Sequence, residues 1–391
     1  LISNRIAKGI PMRVVLWGTY DTGKPRTRLL RRALDTAGVE IIEIHAPVWN
    51  GVEDKSQVKG ILPRLKLAMR WLRAYPGLIV RYLKAPDHDA VVVGYMGHLD
   101  VLILWLFARL RGKPIVWDAF LSLYDTVVQD RRMISPGNPA AWALRAWEWL
   151  ACRAADRVVL DTAAHARLFR ELYGLAEART AAVFVGAELD VFAGAWPPEP
   201  RAHSPSRSDD EITVLFYGQF IPLHGIATIV AAAQDASDLP IHWVVIGQGQ
   251  EEARVRSLIE AGPQARLEWL PWVPYEELTA WIARTDICLG VFGTSAKASR
   301  VIPNKVFQIL AAGKPLVTRD SPAIRELLPD DMPGVYLVEP GNPLALLAAI
   351  QTFRKQRDDL AGLRLHGGAT SRFALSALGK DWLQILQEAC Q

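Results

Sequence analysis

Three basic residues, Lys297, Arg300 and Lys305, fall around one helix start in TDICLGVFGTSAKASRVIPNKVFQILAAGKPLVTRD, residues 285–320. The stretch reads as strand, polar loop, helix, small-residue turn and strand. Asp286–Val291 is an apolar run long enough for a buried strand and too short for a helix. Pro303 suits a first helical turn, where its missing N–H removes no bond. The helix is expected to run to Ala312, with Gly313 closing it ahead of the strand Pro315–Val317. Cations beside a helix N-terminus, at the carboxyl end of a strand, bind anions and phosphates in particular. An ordinary connection between helix and strand is the plain alternative, and the convergence of three cations argues against it.

Three glycine-containing turns could supply the rest of such a site. GTYDTGKP, residues 18–25, comes within one residue of a P-loop, but Pro25 stands where a metal-binding Ser or Thr is needed. It is better read as a turn in which Gly18, Thr19 and Gly23 let backbone approach a ligand in a cleft. FYGQFIPLHGI, residues 216–226, follows a strand; Gly218 ends it, while His224 and Gly225 open the next helix. Its N–H groups, assisted by His224, suit a diphosphate; the plain reading of His224 is a locally bonded helix-entry residue. VVIGQGQE, residues 244–251, repeats the geometry with Gly247 and Gly249.

The elements around these turns alternate. Arg13–Trp17, Val39–His45, Ala90–Val93, Pro114–Trp117, Arg157–Leu160 and Ala182–Val185 read as strands with helical segments between them. WPPEPRAHSPSRSDDE, residues 196–211, breaks the pattern and reads as a linker. The alternation restarts with Ile212–Phe216, Ile241–Ile246, Arg266–Trp269, Asp286–Val291, Pro315–Val317 and Val335–Val338. This predicts an α/β chain of two Rossmann-like domains facing across a cleft. The expected bounds are 1–200, 201–370, and a C-terminal helix, 371–391, crossing back to the first domain.

Composition limits the partners. Half the residues are hydrophobic and 22% are charged, which is globular rather than disordered. Cys152, Cys288 and Cys390 have no metal or disulfide spacing, so a cytoplasmic setting is expected. Residues 1–11 lack the apolar core of a signal peptide, and Val101–Ala108 is too short to span a bilayer. Residues 1–200 carry 27 Lys and Arg against 20 Asp and Glu, whereas the remainder carries 18 against 21. Between Lys55 and Lys84 there are eight basic residues, no acidic one, and interleaved Leu, Trp and Tyr. That pattern suits the anionic inner face of a membrane, with a solvated helical face as the plain alternative. No nucleic-acid recognition module is visible.

Taken together, the motifs of the second half resemble the donor domain of glycosyltransferase family 4, of the GT-B fold. FYGQFIPLHG lies where those enzymes carry G-R-x3-x-K-G, and Gly247-Gln248-Gly249 where they carry a Gly-x-Gly turn. WLPWVPYEEL, with Trp272 and Val273, loosely matches F-x-G-x-V-x-x-x-E-L. RVIPNKVFQ falls on the E-x7-E motif, and AAGKPLV on A-x-G-x-P-V-V. The departures are specific. Gln219 and His224 stand at the family's diphosphate-binding Arg and Lys. Gln308 stands at the Glu that binds the ribose, and an amide can still serve a diol. Arg300 replaces the Glu that contacts the donor sugar.

Two explanations compete: Lys297 and Arg300 take over phosphate neutralisation, which is favoured, or the sugar carries a carboxylate paired to Arg300. The resemblance implies sugar transfer from a nucleotide-diphosphate sugar, with retention and without a metal or other cofactor. The acceptor would be a saccharide or lipid-linked. The implied sugar-donor set is Gly218, Gln219, His224, Gly225, Gly247 and Gly249 with Trp272, Val273 and the segment bearing Lys297, Arg300, Ile302, Pro303, Asn304, Lys305 and Gln308. Over the anomeric carbon the candidates are His98 and Asp118, since Phe120 stands where relatives often have His. A non-catalytic sugar-nucleotide-binding partner subunit and a sugar-nucleotide epimerase are the alternatives.

Overall fold

The computed structural model describes residues 11–50, 61–193, 210–263, 265–361, 363 and 365–391. The chain divides into two compact units. Leu1–Tyr124, Ile134–Val185 and Leu375–Gln391 make the first, and Asp125–Met133 with Gly186–Ala374 make the second. The linker expected over 196–211 lies almost wholly outside the described residues.

The strands of the first unit are β1 (Arg13–Gly18), β2 (Glu40–His45), β3 (Ala90–Val93), β4 (Ile115–Phe120), β5 (Arg157–Leu160) and β6 (Thr180–Ala182). Between them run α1 (Pro25–Thr36), α2 (Ile61–Leu83), α3 (His98–Leu110), α4 (Pro139–Ala154) and α5 (Ala163–Tyr173). The sheet is parallel in the order β2-β1-β3-β4-β5-β6. Its central strands are apolar on both faces because helices cover both; β3, AVVV, is entirely buried. Trp17 and Trp117, fully buried on β1 and β4, anchor the core, each contributing on the order of 3 kcal/mol of apolar burial. β6 starts two residues ahead of the stretch expected from its β-branched residues, because the turn Glu177–Arg179 delivers Thr180 directly onto Val158.

The second unit repeats the plan. Its strands are β7 (Ile212–Tyr217), β8 (Ile241–Ile246), β9 (Leu267–Leu270), β10 (Ile287–Leu289), β11 (Leu316–Arg319) and β12 (Val335–Val338). They lie parallel in the order β12-β11-β10-β7-β8-β9. The helices are α6 (Leu189–Phe192), α7 (Ile226–Asp235), α8 (Glu252–Ala261), α9 (Leu278–Arg284), α10 (Asn304–Ala311), α11 (Pro322–Leu327), α12 (Pro343–Leu360) and α13 (Gly367–Arg372). The strand order reverses between β7 and β10, so the loops leaving those two strands diverge and open a crevice at their carboxyl ends.

The last helix, α14 (Leu375–Ala389), packs on α1 within the first unit. Its approach is close enough that a Cβ on Gly379 would lie 2.4 Å from the Ala33 carbonyl oxygen. Segment 125–133 lies between β4 and α4 in sequence yet belongs to the second unit.

Candidate functional site

The glycine turns of the second unit pack on each other at the carboxyl ends of β7 and β8. Gly218 has φ +144° and Gly247 φ +156°, and a Cβ on Gly247 would sit 2.0 Å from the Gly218 carbonyl oxygen. No side chain fits there. Phe220 N donates to the Gln248 carbonyl at 2.9 Å, locking one turn onto the other. Trp269 on β9 completes the lock: its Nε1 donates to the Gly247 carbonyl at 2.9 Å and its ring lies 5.4 Å from that of Phe220. Trp269 was not among the residues read as functional from the sequence. Trp272, which was, is 67% exposed, and Val273 is half-buried beside it.

Lys305 lies against this lock. It is 5% exposed, on the first turn of α10, and its ammonium sits 3.6 Å from the centre of the Phe216 ring. Nζ has no hydrogen-bond partner, and a Cβ on Gly218 would approach it to 2.8 Å. Burial holds Lys305 well below the usual lysine range. His224 is buried close by, its Cε1 3.1 Å from that same Cβ position. Its Nδ1 bonds the Gln219 carbonyl, so the imidazole is fixed within the turn. Burial pushes His224 well below its ordinary value, and the Lys305 charge pushes it further. The two groups thus lie close together, both desolvated. Pro303 caps α10 without a side-chain bond, leaving the N–H groups of Asn304 and Lys305 directed toward the Pro303 end of the helix. Gln308, one turn further along, accepts from the Tyr217 hydroxyl at 3.2 Å. Ile302 is buried, and Pro303 and Asn304 are half-buried at the entrance to the helix.

The other two cations are differently engaged. Lys297 donates to Thr126 Oγ1, and Arg300 pairs with Asp125 at 2.8 Å. Ser295 adds a third contact, donating to Asp130 at 2.7 Å. Both cations expected to supply charge for a phosphate thus have protein partners in this fold. Segment 125–133 meets both of them, and the Asp125 carboxylate neutralises Arg300. Of the three cations read from the sequence, Arg300 is paired with a carboxylate, Lys297 is held by a hydroxyl, and Lys305 Nζ has no hydrogen-bond partner among the described residues.

In the first unit, the residues expected to face a ligand are folded inward. Gly18 has φ +130° because a Cβ there would lie 2.4 Å from Asp100 Oδ2. Thr19 N and Oγ1 both donate to the Asp100 carboxylate, at 2.8 and 3.1 Å. Thr19 thus serves a buried carboxylate. Gly23 N is taken by Asp21 Oδ1 at 2.9 Å. Asp118 is fully buried in a two-point pair with Arg26, at 2.7 and 3.0 Å. Arg26 also donates to the Val183 carbonyl. His98 is 2% exposed and bonds Glu148 at 2.9 Å. Burial alone would raise Glu148, but His98, Ser122 and Tyr173 hold it below the usual carboxylate range. Asp118 and His98, the candidates over an anomeric carbon, are thus bonded internally to Arg26 and Glu148.

Comparison with known proteins places this geometry. Residues 211–356 match the model of the family described as Glycosyl transferases group 1. The chain is 31% identical over 240 residues to a D-inositol 3-phosphate glycosyltransferase of Geodermatophilus obscurus, a stretch covering 56% of this chain and 50% of that one. It is 27% identical over 145 residues to WcaI of Escherichia coli, a putative colanic acid biosynthesis glycosyl transferase, covering 37% of this chain and 35% of that one. The chain thus spans half or less of the curated relatives it matches. A crystal structure of Anabaena HepE in complex with UDP superposes with a TM-score of 0.64 at 13% identity, covering 96% of this chain and 99% of HepE. Residues 211–356, within the second unit, are thus similar to a glycosyltransferase group 1 domain, and the chain has the two-sheet GT-B fold.

Proposed function

We propose that the chain is a glycosyltransferase that moves a sugar from a nucleoside-diphosphate sugar to an acceptor. The observation that carries this reading is Lys305, a buried cation without a counter-charge, set where two glycine turns and the start of α10 meet. A buried ammonium is costly unless an anion arrives to pair with it. In this reading the diphosphate is that anion, and Lys305 with the α10 N–H groups stabilises the departing nucleotide. Gln308 holds the ribose diol, and Gly218, Gln219, His224, Gly225, Gly247 and Gly249 form the backbone cradle. Transfer proceeds with retention and without an obligatory metal, because a cationic side chain and a helix terminus take the metal's place. The nucleotide is uridine diphosphate, by likeness to HepE, and the acceptor is a saccharide or lipid-linked, met on the cytoplasmic side.

A second reading rests on a specific observation. Arg300, where the resemblance expects a sugar-contacting Glu, is paired with Asp125. A site so altered fits a non-catalytic partner subunit that binds sugar nucleotides. Thermal shift against a panel of nucleotides and nucleotide sugars, followed by assays of hydrolysis and transfer, separates the readings. Stabilisation by UDP and its sugars with turnover supports the transferase. Stabilisation without hydrolysis or transfer supports the partner subunit, and no stabilisation by any nucleotide defeats both.

A further inference from the structure

The outward face of α2, α3 and α4 has a composition that the sugar-donor site does not use. The three helices lie side by side, α3 touching α2 on one flank and α4 on the other. They hold two acidic residues between them, Asp100 and Glu148, and both are buried. Every exposed charged side chain described on them is basic: Lys66, Arg70, Arg73 and Arg81 on α2, Arg109 on α3, Arg145 and Arg153 on α4. Large apolar side chains stand out among these charges. Leu72 is 65% exposed, Leu110 73% and Trp142 72%, with Trp105 and Trp149 above 40%. A water-facing helix layer ordinarily mixes both signs of charge and turns its tryptophans inward.

We propose that this face docks on an anionic lipid bilayer. Its tryptophans would sit at headgroup depth and its arginines on lipid phosphates. Charge complementarity selects this occupant. Arg109 is paired with Asp156 at 2.7 Å, and the other exposed charges on the three helices are basic, so a second copy of the chain would bring two predominantly basic faces together, which repel. No described helix is long and apolar enough to cross a membrane, so the face lies on the surface and does not span it. The basic run at 55–84 supplies one of the three helices; the tryptophans come from α3 and α4, where the sequence has no comparable charge run. The inference does not depend on the glycosyltransferase reading.

The test is co-sedimentation of the full chain with vesicles of phosphatidylcholine alone and with vesicles enriched in phosphatidylglycerol. Binding to the anionic vesicles is expected to be about tenfold tighter or more and to weaken as salt is raised. The double variant Trp105→Ser, Trp142→Ser is expected to lose about tenfold of that binding, and Arg73→Glu with Arg145→Glu a similar amount. Unchanged melting temperatures would show that the variants remain folded. Equal binding to both vesicle types, or full binding by the tryptophan variant, overturns the proposal. So does concentration-dependent dimerisation in light scattering that the same tryptophan variant abolishes.

Discussion

The Lys305 ammonium stands 3.6 Å over the ring of Phe216, with no hydrogen-bond partner and almost no access to water. The ring recovers part of the lost hydration through its negative face, and the remainder is a standing penalty in the unliganded protein.

Lys305→Met should therefore separate stability from binding. Removing a buried uncompensated charge is expected to stabilise the fold by about 1–2 kcal/mol. Losing a charge-assisted contact to a diphosphate should cost about 1.5–3 kcal/mol of nucleotide affinity. Urea unfolding and calorimetric titration with UDP measure the two quantities. Undiminished UDP affinity in the variant would remove Lys305 from the site.

Nucleotide binding should take up protons. His224 is held below its ordinary value by burial and by the Lys305 charge. An anion beside it favours its protonated form and lifts it back up. UDP affinity should then increase as pH falls. Titrations in two buffers of different ionisation enthalpy should report net proton uptake; zero uptake would mean that His224 does not meet the ligand.

Gly247→Ala should destabilise the protein by more than about 2 kcal/mol, because the new methyl meets a carbonyl and a positive φ together. The steric contact is with Gly218 O, so the damage falls on the turn that faces Lys305. The readout is the urea midpoint, and a variant as stable as the parent would show that the two turns are not locked.

Asp125 and Arg300 should behave as one unit. Asp125 is fully buried and the Arg300 side chain is 19% exposed, so either residue alone leaves a poorly hydrated charge. Arg300→Gln is expected to cost about 3 kcal/mol, and the double variant with Asp125→Asn less than the sum of the singles. A double-mutant cycle with coupling near zero would deny the pair any energetic role.

Acid should weaken the fold partly through His366. It is buried, donates from Nε2 to the Lys314 carbonyl at 2.9 Å, and burial pushes it down to about 4. The unfolded chain protonates near 6.5, so the unfolded state binds the proton first. Stability from this group is complete above about pH 6.5 and declines by up to about 3 kcal/mol as pH falls to about 4. His366→Asn, which tolerates the residue's left-handed backbone, should flatten that slope in urea titrations across this range. An equally steep decline would assign the acid response elsewhere.

Much of the architecture is legible in residue order. Ala90–Val93, Arg157–Leu160, Ile241–Ile246 and Val335–Val338 are strands with the bounds their β-branched runs suggest, because strands covered on both faces are continuous apolar segments. Long-range partners are what residue order leaves out. Asp118, a candidate over the anomeric carbon, is paired with Arg26 from 92 residues away. Beside Gly18, Asp100 takes the space a Cβ would need, from the helix that follows β3.

By itself the sequence determined the two alternations of strand and helix, the glycine turns after β7 and β8, and the helix start carrying three cations. Those are local properties of periodicity, φ and spacing. Only the tertiary structure decided what each of the cations meets. Thr126 reaches Lys297 from 171 residues away and Asp125 reaches Arg300 from 175. Lys305, meanwhile, is buried against an aromatic ring with no anion beside it. A charge is set by what surrounds it in space, through desolvation and neighbouring charges, and neither can be read from position along a chain.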